Sequence, residues 1–242
     1  MPKLDCEMKD HVAVVTMNQG ENRFNFDFLD AFNQVLDEIE QRAEISVLVV
    51  KSAHEKIWSN GIDLQWLLPA ITQDLEMGNL FSVRLLAFFR RLLMLPLTTI
   101  AAINGHAFAG GAVLACAFDF RFMRTDRGYF CFPEVDMQLP FWPSMEAIIQ
   151  KAMPGHLALE SQLTGKRYTA QELEVFQVVK KASHGNALMD EVMAFAQTQN
   201  KARGILKTMK GVSFSNIIRI MDHDDPPFIE TVRKLFEQMM GK

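Results

Sequence analysis

The sequence predicts an α/β fold, a sheet covered by helices, and three observations carry that expectation. A β-branched segment from His11 to Met17 and the apolar run Ser46 to Lys51 enclose a stretch with helical spacing. A second apolar run, Leu97 to Ile103, passes through a glycine turn into the apolar segment Ala112 to Phe118. After Pro143 the pattern becomes largely helical.

In the first helix Phe28, Leu29, Phe32, Val35, Leu36 and Ile39 recur three or four apart between Asp27 and Arg42, with Asp27 as candidate N-cap. A second helix is expected from Met77 to Met94, with Leu85, Phe89 and Leu92 on one face and Pro96 as its stop. The strand Leu97 to Ile103 leads through Asn104-Gly105-His106 to Ala109-Gly110-Gly111, where a buried helix begins. From Asp119 the chain returns as the strand FRFMR and turns at Asp126-Arg127-Gly128 towards Tyr129 to Pro133. Later helices are expected near Ser144 to Ala152, His156 to Leu163, Ala170 to Phe176, Asn186 to Ala202 and Pro227 to Met240.

The 242 residues, 49% apolar and 22% charged, suit one large domain or a domain with a helical appendix. A net charge of −4 gives no general electrostatic reason to bind nucleic acid or an anionic membrane, so an anionic ligand must be held locally. Cys6, Cys116 and Cys131 form no metal-like spacing and point to a reducing compartment, with the cytoplasm as the expected location. Met1 to Asp10 lacks the apolar core of a signal peptide. Leu92 to Ile103 is interrupted by Pro96 and falls short of the roughly 20 residues that cross a bilayer, so no span is expected. The histidines form no H-x-x-x-H pair, and His223 among Asp222, Asp224 and Asp225 reads as a polar turn; no metal is assigned.

Three segments bear on chemistry. Gly61 in Trp58-Ser59-Asn60-Gly61-Ile62-Asp63-Leu64 lets the backbone bend without a Cβ. This turn is either a plain loop or a device that aims the Ile62 N–H into a cavity. Ile103 to Gly111 offers the same pair of readings, because Gly110 opens a helix whose free N–H groups favour negative charge. Two such donors on one oxygen form an oxyanion hole. Glu134, in Phe132-Pro133-Glu134-Val135-Asp136, is either a surface carboxylate or a partly buried one whose raised pKa makes it a usable base.

In this order the segments resemble the motifs of the crotonase family, the enoyl-CoA hydratase/isomerase superfamily. WSNGIDL resembles its F-S-A-G-x-D-L segment, INGHAFAGGAVLA its N-G-x-A-x-G-G-G-x-x-L-A segment, and FPEVDMQL its P-E-V-x-x-G-L segment. Gln162-Leu163-Thr164-Gly165-Lys166 with Ala170 is similar to its L-L-T-G stretch, and the resemblance runs from about Val12 to Ala182. It implies a spiral of β-β-α turns over 1–185, holding groove and active site, and a helical trimerisation region over 186–242. It further implies a homotrimer or dimer of trimers, an acyl-CoA thioester as partner, and coenzyme A as part of the substrate rather than a tightly bound cofactor.

Carried over by residue, the resemblance makes Ile62 and Gly110 the oxyanion donors and Glu134 the catalytic carboxylate. Arg23, Phe24, Ser59, Asn60, Gly61, Asp63 and Leu64 fall near the coenzyme, with Asp63 bracing its turn. Val113 stands where two-carboxylate hydratases place their other glutamate. Valine neither accepts a proton nor holds water, so hydration is disfavoured, whereas moving a double bond from the 3- to the 2-position needs one base. Asn22-Arg23-Phe24, SNGIDL, Met123 to Gly128 and EVD are similar to the Δ3,Δ2-enoyl-CoA isomerases of plant type. Gln138 to Pro143 replaces the family's glycine-rich continuation and leaves acyl chain length open. The alternatives are another crotonase reaction such as hydration, or a catalytically poor acyl-CoA-binding protein.

Overall fold

Alternation along the first apolar strands sends Ala13, Val15, Leu48 and Val50 to one side of a sheet and Val12, Val14, Val47 and Val49 to the other. Both sides are buried, as expected of a largely parallel sheet covered on two faces. The computed structural model describes residues 4–239, and its elements in chain order are as follows. Strands β1 (Asp5–Lys9) and β2 (Val12–Met17) form a hairpin, followed by α1 (Phe26–Glu40), β3 (Val47–Ser52) and β4 (Ile57–Ser59). Helices α2 (Leu64–Gln73) and α3 (Glu76–Met94) precede β5 (Thr98–Ile103), β6 (His106–Phe108) and α4 (Gly110–Ala117). Then come β7 (Phe120–Arg124), β8 (Phe130–Cys131), α5 (Glu134–Met137), α6 (Pro143–Ala152), α7 (Gly155–Thr164), α8 (Ala170–Val175) and β9 (Lys181–Ser183). The chain finishes in α9 (Gly185–Gln197), α10 (Arg203–Ser213), α11 (Ser215–His223) and α12 (Asp225–Met239); Met240, the expected end of the last helix, lies outside the described residues.

Six strands pair in the order β1-β2-β3-β5-β7-β9, antiparallel at the first pair and parallel thereafter. A second, three-stranded parallel sheet has the order β4-β6-β8. Each consecutive strand pair, β3 with β4, β5 with β6 and β7 with β8, therefore gives one member to each sheet. That is the expected β-β-α spiral. Helices α1, α3 and α4 fill its inner face through Phe28, Phe32, Phe88, Phe89 and Leu114, while α9 covers the outer face with Leu188, Val192 and Ala196. Helices α10, α11 and α12 pack on α3 and α6.

Two expectations are corrected here. The cap of α1 is Asn25, not Asp27: Asn25 is extended (φ −134°, ψ −178°) and accepts the Phe28 N–H at 3.0 Å, while Asp27 sits in the first turn beside the positive end of the dipole. Helix α2, which contains Pro69, was not among the expected elements. Its start is fixed by Asp63, whose carboxylate accepts the Trp66 N–H at 3.2 Å. No described helix is long and apolar enough to cross a membrane.

Replacing Asn25 with alanine is expected to lower stability by about 1 kcal/mol without altering the sheet, measured by urea unfolding against the parent chain.

Candidate active site

The site begins with two backbone turns pressed together. Gly61 has φ +71°, and a Cβ built on it would stand 2.5 Å from the Gly110 nitrogen. A Cβ on Gly110 would lie 3.4 Å from the Ile62 nitrogen. Parallel pairing of β4 with β6 sets this approach, and Ser59 refines it by donating its hydroxyl to Asn22 O at 2.8 Å and accepting the Gly61 N–H at 3.2 Å. Phe24 N–H donates to Gly61 O and Asp63 N–H to Phe24 O, which turns the intervening Ile62 N–H the other way. Neither the Ile62 nor the Gly110 N–H donates a hydrogen bond among the described residues.

Ala109 carries the strain of this turn. At φ 52°, ψ −132° it occupies a region unfavourable to any residue with a Cβ, at a typical cost of about 1–3 kcal/mol. Its N–H donates to Cys131 O at 3.0 Å, and its carbonyl accepts the N–H groups of Ala112 and Val113. The first bond ties the Gly110 turn to β8, the strand that delivers Glu134. Pro133 O then accepts Asp136 and Met137 N–H, and Gln138 at φ 56° closes the single turn of α5.

Glu134 is 9% exposed and lines a cavity of about 440 Å3 together with Ile62, Ala109 and Gly110. Its Oε2 is buried without a hydrogen-bond partner among the described residues. Burial raises its pKa from the ordinary 4.5 to about 7, a backbone hydrogen bond opposing the shift. Most of the remaining wall is apolar, with Leu67 and Ile71 from α2, Phe81 from α3, Trp142 and Met145 at α6, and Ile229 and Val232 from α12.

Residues 7–223 match the family described as enoyl-CoA hydratase/isomerase. The chain belongs to that family. It is 33% identical to enoyl-CoA delta isomerase 3 of Arabidopsis thaliana over 187 residues, covering 75% of this chain and 77% of the relative. It is 29% identical to a putative enoyl-CoA hydratase of Thermus thermophilus, covering 78% and 74%. In architecture it is similar to an enoyl-CoA hydratase/isomerase family protein from Pseudomonas syringae (TM-score 0.83, 22% identity, 96% of both chains). It is also similar to a probable enoyl-CoA hydratase from Mycobacterium tuberculosis (TM-score 0.85, 18% identity, 100% of both chains).

Against this family site, the residues expected near a ligand divide into two groups. Arg23, Asn60, Ile62 and Leu64 line the cavity beside Gly110 and Glu134. Phe24, Ser59, Gly61 and Asp63 do not line it: the first two are 0% exposed, Phe24 behind Gly110 and Ser59 beneath Gly61. Phe24 therefore supports the turn rather than the groove, its N–H and carbonyl both being used by Gly61 O and the Asp63 N–H. Arg23 and Asn60 both bond Glu21, at 2.6 and 3.1 Å, and the Asn60 amide is the larger influence holding the Glu21 pKa down. Asp63 accepts a hydrogen bond from Asn25 Nδ2 at 3.3 Å besides capping α2. Val113 is fully buried inside α4 and His106 accepts the Tyr129 N–H, so neither faces the cavity.

Sequence reasoning missed two bracing asparagines. Asn22, buried at φ 51°, donates to Ser52 Oγ and Trp58 O, and Asn104 accepts Ser52 N–H while donating to Ser52 O. The readable signal for Asn22 was only the residue type, since asparagine tolerates the positive φ found there. The α12 wall carried no local signal at all.

Two outcomes follow from this geometry. Gly61→Ala should force the two turns apart and lower kcat by about 10²–10³-fold, as loss of an oxyanion donor does, while the far-ultraviolet circular dichroism is retained. Between about pH 4.5 and 7 the folded chain keeps the Glu134 proton that the unfolded chain has lost, so this group's contribution to stability falls as pH rises. Glu134→Gln should therefore gain up to about 3 kcal/mol on the parent between pH 4.5 and 8, read from urea unfolding at each pH.

Proposed function

We propose that the protein is a Δ3,Δ2-enoyl-CoA isomerase. The observation that carries this reading is that Glu134 is the single acidic side chain among the described residues lining the cavity. Hydration of a conjugated thioester calls for a water held and activated by more than one polar group, and among the described residues no second carboxylate lines the cavity with Glu134. A double-bond shift needs less.

In the proposed cycle the Glu134 carboxylate removes a proton from C2 of a 3-enoyl thioester. The electron pair passes to the thioester oxygen, which the Ile62 and Gly110 N–H groups receive, and the protonated Glu134 returns the proton at C4. The double bond then lies between C2 and C3, the carboxylate is restored, and no cofactor is consumed. A group with a pKa near 7 suits both halves of this relay, because it holds and releases a proton near neutrality with comparable ease. The coenzyme would lie over Arg23, Asn60 and Leu64, with the acyl chain directed into the apolar wall. The likeness to the Arabidopsis delta isomerase supports the same choice.

The test is turnover of 3-enoyl-CoA by purified protein, followed as conjugated 2-enoyl product. Glu134→Gln should lower kcat/KM at least 100-fold, and the parent's kcat/KM should fall about tenfold per pH unit below pH 7 as the base is protonated. Faster hydration of 2-enoyl-CoA than isomerisation of 3-enoyl-CoA would reverse the assignment, and acyl-CoA binding without any turnover would point to a binding protein.

A further inference from the structure

Helix α4 starts at the oxyanion turn and, eight residues long, ends among buried charges. Lys151 Nζ donates to the carbonyls of Cys116, Ala117 and Phe118 at 3.0, 3.3 and 2.8 Å. Arg121 Nη1 donates to Phe118 O at 2.8 Å and Ala115 O at 3.3 Å. Close by, Lys210 Nζ stands 2.7 Å from Asp119 Oδ2 and 2.8 Å from Leu97 O. Three cations thus share one facing carboxylate, which also accepts the Thr99 N–H. Arg121 and Lys210 are buried, and the partly buried Lys151 lies 5.1 Å over the Phe214 ring.

Burial pulls down the pKa of all three, Lys151 to about 7, so this cluster is charged against a desolvation cost and Lys151 carries its full charge only below pH 7. The negative end of the helix dipole accounts for one cation on these carbonyls; two of them, Lys151 and Arg121, cap the same short helix. The charge has an effect at the other end. Eight residues rise about 12 Å, and the helix dipole already places its positive end at Gly110. One cation about 12–15 Å from an anion, at an interior dielectric of about 20, changes a rate by roughly five- to tenfold.

We propose that Lys151, seconded by Arg121, is a positioning residue for the oxyanion hole. Its ammonium holds the carboxyl end of α4 and raises the positive potential that the Gly110 N–H presents to developing enolate charge. The inference rests on the reading of Ile62 and Gly110 as the enolate's donors, and it is independent of which enoyl reaction follows.

Lys151→Gln keeps a side-chain donor and removes the charge, whereas Lys151→Arg keeps the charge. A saturated acyl-CoA labelled with carbon-13 at the thioester carbonyl is bound to the parent and both variants at pH 6, and its stretch is read by difference infrared spectroscopy. The carbonyl should be polarised to lower frequency in the parent and in Lys151→Arg than in Lys151→Gln, and kcat/KM should fall five- to tenfold in Lys151→Gln alone. Equal polarisation in all three, even with a lowered Tm for Lys151→Gln, would make Lys151 a structural cap and overturn the inference alone. A carbonyl unpolarised in the parent too would overturn the oxyanion reading and the inference with it.

Should Lys151→Gln not fold, the same stretch is followed in Glu134→Gln from pH 6 to 8.5. Arg121, Asp119, Lys210 and Cys116 are the charged and titratable groups facing Lys151. Loss of the ammonium should move the stretch to higher frequency, and a flat profile would overturn the inference.

Discussion

Two chain reversals meet backbone to backbone at Gly61 and Gly110, and the rest of the molecule is arranged around that contact. No side chain fits there. A Cβ on Gly61 would strike the Gly110 nitrogen, and one on Gly111 would strike Ser59 O. Such an approach is available only where glycine faces glycine, and it is held because β4 and β6 run side by side beneath it. The bracing by Asn22 and Asn104 and the strain at Ala109 hold the turns in which the Ile62 and Gly110 amides have no partner among the described residues. Amides left without a partner inside a fold are poised for an acceptor that comes from outside.

The apolar wall acts on the same pair of amides and on Glu134 in opposite ways. Withdrawal of water makes the carboxylate expensive to charge, which lifts its pKa and leaves Oε2 without a partner. That withdrawal also strengthens any bond from the amides to a negative oxygen. One environment thus raises the proton affinity of the carboxylate and strengthens what the two amides can offer a negative oxygen. The loss of folding stability at Glu134 is the other side of this arrangement.

Much of this was legible because its signals are local. SVLVVK is a strand by composition, the α1 residues Phe28, Phe32 and Val35 repeat with helical spacing, and the glycines of both turns stand in the sequence itself. The choice between Asn25 and Asp27 as cap was not local, since both side chains are competent and only the incoming backbone decides. Pro69 concealed α2, because a proline within a helix removes one hydrogen bond and reads as a stop; the Asp63 cap and packing against α3 outweigh it. The ring of Phe24 could not be told from a ligand contact, as burial depends on Phe28 and Phe89 against which it packs. The contribution of Ile229 and Val232 to the cavity is tertiary, and nothing near them in sequence announces it.

The parallel pairing of the large sheet has a kinetic consequence. Val12 lies opposite Val47, and Val47 opposite Thr98, so each rung joins residues separated by whole helices. Such contacts are reached slowly, since long loops must close before the pairing rewards them. Ile57 meets His106 only after that closure. A refolding chain therefore regains its helices well before its catalytic geometry, and in that interval its valine-rich strands stand open to mispairing with other chains.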